Sequence, residues 1–163
     1  MLIKVLIFVH VLAILAFFMG HGTSVAMAFK VRKETDLTRI RALLDLSGST
    51  LKLAFIAFVV MGLTGLTMPF MIHIWDRGWL WLSIVLMVGV FGYMAFFNEK
   101  GYKILRKKVG LPYMQGTKDF PAEVPAPQEE VLAFIKTLRV EYLVLSGYVI
   151  PSIVLALMIF KPF

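Results

Sequence analysis

Four stretches of this chain carry no formal charge over the length a helix needs to cross a bilayer, and they constrain the fold more than any other feature. They are Val5–Phe29, Leu53–Trp75, Gly78–Phe97 and Tyr142–Phe160, each of 19 residues or more. About 20 apolar residues in a helix span the hydrocarbon core. Composition agrees, since 60% of the 163 residues are hydrophobic and a soluble domain has only about half. So apolar a globule could not cover itself with polar surface, and its solvent is therefore lipid. The expected fold is an all-α, four-helix transmembrane bundle, a single integral membrane domain over residues 1–163. Ala26-Met27-Ala28 has the form of a signal-peptidase site. The apolar run before it exceeds a typical signal sequence, and Lys30, Arg32 and Lys33 follow at once, so an uncleaved span is expected.

Charge sets the orientation. Residues 30–52 hold six basic side chains (Lys30, Arg32, Lys33, Arg39, Arg41, Lys52), and residues 98–141 hold eight, from Lys100 to Arg139. The opposite side has only Lys4, Arg77 and Lys161. Basic residues collect in cytoplasmic loops, so both longer loops are expected inside and both termini outside. The net charge of +7 thus reads as attraction to anionic lipid rather than to nucleic acid. In the first loop, Leu37, Ile40, Leu43 and Leu44 recur at helical spacing behind Thr35 or Asp36 as a cap. A short amphipathic helix at the headgroup level is expected there.

Within the spans, small residues mark packing faces: Gly62, Thr64, Gly65 and Thr67 in the second, Gly89 and Gly92 in the third. Pro69 and Pro151 predict bends. Trp75, Trp79 and Trp81 flank a tight turn at Asp76-Arg77-Gly78 and read as an outer aromatic belt. The third span is expected to run on as a basic helix to Lys108, and Pro112 to Pro127 is too broken for helix. Pro127 followed by Gln128-Glu129-Glu130 opens a last helix that continues into the fourth span. Glu141, one turn inside that boundary, is expected to snorkel or to pair with Arg139 or Lys52.

The chemistry narrows to three histidines. With no cysteine, disulfides, thiolate metal sites and Cys nucleophiles are excluded. No phosphate-binding loop or metalloprotease motif is present. His10, His21 and His73 are the ionisable groups of the apolar runs, and such groups are costly in lipid and often functional. Neutral imidazole can ligate haem iron or copper. His10 and His21 are 11 positions apart, about three helical turns, and so share a side of the helix. Measured from the ends of their runs, His10 lies about 8 Å deep, His73 about 3 Å, and His21 about 12 Å from the cytoplasmic end. A haem between the first two helices, ligated by His10 and His73, fits this arithmetic. His21 would need another kind of ligand, an open site or another subunit. Its neighbours in Gly20-His21-Gly22-Thr23-Ser24 equally suit tight packing and an interhelical hydrogen bond.

The stretch His10-Val11-Leu12-Ala13-Ile14-Leu15-Ala16-Phe17-Phe18-Met19-Gly20 resembles the first helix of the copper-resistance-protein-D-like membrane families, which include the HemJ-like oxidases. His10 and Gly20 match residue by residue. Phe17 stands where the HemJ-like proteins have tryptophan, and His21-Gly22-Thr23 replaces their Leu-Pro-Arg, which argues against protoporphyrinogen oxidation. The resemblance implies a four-span plan, haem b and a bacterial inner (plasma) membrane location. The leading expectation is a haem-b-binding redox or haem-handling protein, with His10 as principal ligand and His73 or His21 second. The alternative is a non-enzymatic accessory subunit packed against a larger membrane complex or in a homo-oligomer. Copper transport is the third reading, through Met61, Met68 and Met71 near Pro69; methionines in so apolar a chain also serve simply as packing.

Overall fold

The structure, a computed structural model, describes residues 1–115 and 118–163, the side chains of Asn98 and Glu99 excepted. Helix α1 runs Leu2–Lys33 and α2 runs Leu37–Ile72. Helix α3, Gly78–Phe97, passes through a π turn at Asn98–Tyr102 into α4, Lys103–Lys108. A two-stranded hairpin follows, β1 (Tyr113–Gln115) with β2 (Lys118–Phe120). Helix α5 is Gln128–Thr137. The last helical rod comprises α6 (Glu141–Val144), a π turn at Leu145–Val149 and α7 (Ile150–Phe160). Four helical segments are long and apolar enough to cross a membrane: Leu2–Lys33, Leu37–Ile72, Gly78–Lys108 and Glu141–Phe160. The chain is thus a mainly helical, multi-pass membrane protein.

Several sequence expectations change in detail. The first loop is not a separate element, because only Glu34-Thr35-Asp36 separates α1 from α2. The amphipathic turns around Ile40 and Leu44 are the start of the second span itself, with Asp36 as N-cap accepting from the Thr38 amide. Lipid sets only where the apolar run must begin; nothing in residues 37–52 breaks a helix before it. The connection into the fourth span differs in the opposite sense. Here α5 ends at Thr137, Leu138 is extended, and helix resumes at Glu141. Val131 and Ile135 of α5 are fully buried with Val31, Ile40, Leu44, Leu105 and Val109. That core turns α5 to fit a cap over one end of the bundle, whereas the span must follow its neighbours across it.

Both basic segments meet in this cap. Arg41 donates to the Val109 carbonyl at 2.7 Å. Arg106 donates to the carbonyls of Leu44 at 3.0 Å and Pro112 at 2.7 Å, and pairs with Asp45 at 2.9 Å. Glu141 pairs with Arg32 of α1, the expected Arg139 adding a more distant attraction. At the far end Trp81 is half exposed and donates to the Trp75 carbonyl at 2.8 Å. Trp79, by contrast, is buried, its amide bonded to the Phe163 carbonyl, so one of the three expected anchors is a packing residue. Pro69 lies in the last turn of α2, which ends three residues later. The disturbance expected at Pro151 takes the form of the preceding π turn: proline has no amide for the Gly147 carbonyl, and five-residue bonding re-spaces the ladder.

Candidate functional site

The three-residue turn fixes α1 and α2 in one antiparallel register, and that register decides which polar groups meet. Nearest the cap, the hydroxyls of Ser24 and Ser47 share a hydrogen bond at 2.7 Å. Further along, Gly20 lies directly on the backbone of α2; a Cβ there would fall 2.8 Å from the Thr50 carbonyl oxygen and 3.0 Å from the Ala54 nitrogen. Phe17 packs among Ala54 and Ala57. Beyond it His10 reaches α2 at Thr64 and Gly65. A Cβ at position 65 would sit 3.0 Å from the imidazole Cε1, so the ring would have to give by a few tenths of an ångström.

The His10–Thr64 contact orients the ring through Nδ1, 2.9 Å from Thr64 Oγ1. Thr64 Oγ1 also lies 2.7 Å from the Val60 carbonyl and 3.1 Å from the Met61 carbonyl, either of which can take its only proton. With the proton so placed, Oγ1 accepts from His10 Nδ1–H and Nε2 carries the lone pair. Metal-ligating histidines are oriented by the same division of labour between the two ring nitrogens.

His21 is placed differently. It is 2% exposed and stacked on Phe17 with ring centroids 5.5 Å apart; neither nitrogen makes a hydrogen bond of good geometry, the nearby acceptor being the Leu143 backbone carbonyl. Its Cδ2–Nε2 edge lies over Gly147 in the π turn, so closely that a Cβ on residue 147 would fall well inside 3.0 Å of it. Next door the Tyr148 hydroxyl occupies the space a side chain on Gly22 would need, 2.5 Å from its Cβ position. Gly20-His21-Gly22 therefore locks α1 to α2 through one glycine and to the last rod through the other two residues. The tight packing expected of this motif is present; the interhelical hydrogen bond belongs to Ser24 instead. Gly147 and Tyr148 had no motif to mark them; the only signal was a glycine four residues before Pro151 in an apolar run.

His73 stands apart from both. It is the exposed C-cap of α2, in the left-handed conformation with φ 52°. His10 meets α2 at Thr64, nine residues before His73, or about 13 Å along the axis. Continuing the hairpin register brings His73 level with the first turn of α1. The depths inferred from the run ends were misleading because α1 continues past Val5 to Leu2 and the short turn, not the edge of the apolar run, sets the register. A haem ligated by both His10 and His73 of one chain does not fit this arrangement, and His10 is left as the buried imidazole held by a hydrogen bond to α2. Among the described residues no three His, Asp or Glu side chains converge on a metal position. Neither of two cavities among the described residues touches a histidine: one lies between α3 and the last rod, about 170 Å³ beside Gly89, Tyr93 and Ser146, the other at the α1–α2 turn. Comparison of the chain with protein-family models, with curated proteins and with solved structures gives no match.

Proposed function

We propose that this chain is a haem-handling protein of the bacterial inner membrane, holding haem b through one axial imidazole, Nε2 of His10. Its termini lie outside the cytoplasm and its basic cap inside, as the distribution of lysine and arginine requires. The observation that supports the reading is the Thr64 hydrogen bond, which orients a buried imidazole through Nδ1 and keeps Nε2 out of that bond. Haem b would bring a redox-active, gas-binding iron. The chain's own part would be to hold one buried imidazole, His10, in a fixed orientation against α2.

The test is an optical spectrum of protein purified in mild detergent from haem-sufficient cells, oxidised, reduced, and reduced under carbon monoxide. The expected result is a Soret band that shifts on carbon monoxide addition and is lost in His10→Ala but kept in His21→Ala and His73→Ala. A spectrum without a Soret band, or one unaffected by His10→Ala, sinks the reading. A second reading, a non-enzymatic subunit of a larger complex or homo-oligomer, is favoured by Gly62, Gly89 and Gly92, which have open space where their side chains would be. Such small faces suit a neighbouring helix in lipid. It calls for a colourless protein that co-purifies with a partner or with itself.

A further inference from the structure

The α1–α2 turn holds a second candidate, independent of the histidines. A cavity of about 430 Å³ opens there, lined by Lys30, Lys33, Glu34, Arg39, Ala42 and Leu43. Lys30 and Lys33 are three apart in the last turns of α1 and so share a face, as do Arg39, Ala42 and Leu43 at the start of α2. The two faces look into the same space. Glu34 is the only acid in the lining, and it is already engaged: Oε1 accepts from the amides of Thr35 at 2.9 Å and Asp36 at 3.1 Å. Arg39 stands 3.8 Å from both Glu34 and Asp36, a loose pairing on an exposed side chain. Among the described residues neither lysine has an ion-pair partner. The cavity therefore presents surplus positive charge above an aliphatic floor. It sits where the charge-free run of α1 ends, at Lys30, which is headgroup depth for a spanning helix.

We propose that this elbow is a binding site for an anionic phospholipid, its phosphate held by Lys30, Lys33 and Arg39 and the upper part of an acyl chain lying against Ala42 and Leu43. The combination favours a lipid over a soluble anion, because the three cationic side chains stand beside the apolar Ala42 and Leu43. It also gives the lipid a structural task. A phosphate at this point would bridge the end of α1 to the start of α2, the turn from which the register of the whole hairpin follows.

The experiment uses the full chain in uncharged detergent and follows its thermal midpoint against dioctanoyl phosphatidylglycerol, dioctanoyl phosphatidylcholine and inorganic phosphate. The expected result is saturable stabilisation by the phosphatidylglycerol alone. Lys30→Gln with Lys33→Gln should raise the half-saturating concentration roughly fivefold per lysine removed. Lys136→Gln removes one lysine charge, against two in the double variant, from an exposed position in the cap outside the cavity and should leave binding unchanged. Equal weakening by Lys136→Gln would mean diffuse attraction and overturn the site. Equal stabilisation by inorganic phosphate would overturn the lipid as occupant, and no stabilisation by phosphatidylglycerol would overturn the proposal outright.

Discussion

Gly147→Ala should destabilise the bundle, and His21→Ala should rescue it. The added methyl group at position 147 would fall well inside 3.0 Å of the imidazole edge, where carbon atoms normally stop at about 3.5 Å. The ring has no simple retreat, being 2% exposed and stacked on Phe17. Overpacking of this kind costs about 1–3 kcal/mol, offset by up to about 1 kcal/mol for replacing glycine in a helix. His21→Ala alone leaves a cavity, but it also removes a buried imidazole with no hydrogen bond of good geometry, so its net cost should fall below the about 2–5 kcal/mol of an ordinary large-to-small core change. In the double variant the clash is gone and the new methyl group fills part of the vacated space. The double-mutant cycle should therefore show a favourable coupling of about 1–3 kcal/mol. Reversible unfolding in mixed micelles, followed by circular dichroism, measures all four corners. Additivity within about 0.5 kcal/mol, or a neutral Gly147→Ala, would refute the wedge.

The remaining expectations are smaller. Thr64→Val strands the His10 Nδ1 proton and should cost about 0.6–1.7 kcal/mol, the range for interhelical hydrogen bonds in membranes; the same unfolding assay reads it, and if haem is bound the Soret band should broaden. Gly20→Ala should destabilise the hairpin, with backbone 2.8 Å from the new methyl group, whereas Gly62→Ala, facing open space, should be neutral or mildly stabilising; equal effects would contradict the register. Because the chain has no cysteine, Lys118→Cys and Lys161→Cys can be labelled singly in whole cells. An impermeant maleimide should reach only Lys161→Cys, and the reverse pattern would invert the proposed orientation. Tyr113 donates to Glu123 at 2.6 Å, and this bond, with Lys107 behind it, holds the Glu123 carboxyl below its ordinary 4.5. A depressed carboxyl stabilises the fold above its unfolded value and loses that contribution as pH falls through the folded one. Hydrogen-exchange protection of residues 110–115 and 118–123, relative to intrinsic rates at each pH, should therefore fall below about pH 4.5 in the wild type and show no such step in Glu123→Gln.

Much of the site's environment could be read from the chain, but its partners could not. His10 and His21 stand out in sequence because an imidazole is conspicuous in 25 charge-free residues, and Gly20 and Gly22 marked close approach. Pairing His10 with His73 failed because depth was measured from hydropathy, which knows where lipid begins but not how two helices slide against each other. Gly147 was invisible, because a glycine in a span is a packing residue wherever it falls and only the facing side chain tells what it admits. The cap was hidden too: its core joins Val31, Ile40, Leu105 and Val131, residues far apart in sequence whose short amphipathic segments look like solvated connections when read singly.

The sequence by itself determined the solvent, the number of long apolar helices and the end of the bundle that gathers positive charge. Those follow from transfer free energies summed along contiguous residues, and a sum needs no partner. The tertiary structure alone decided the hairpin register, the pairing of His10 with Thr64, the wedge of His21 on Gly147 and the convergence of Lys30, Lys33 and Arg39 on one cavity. Each depends on which atoms of distant segments come within a few ångströms. A three-residue turn and a handful of glycines, rather than hydropathy, set those distances.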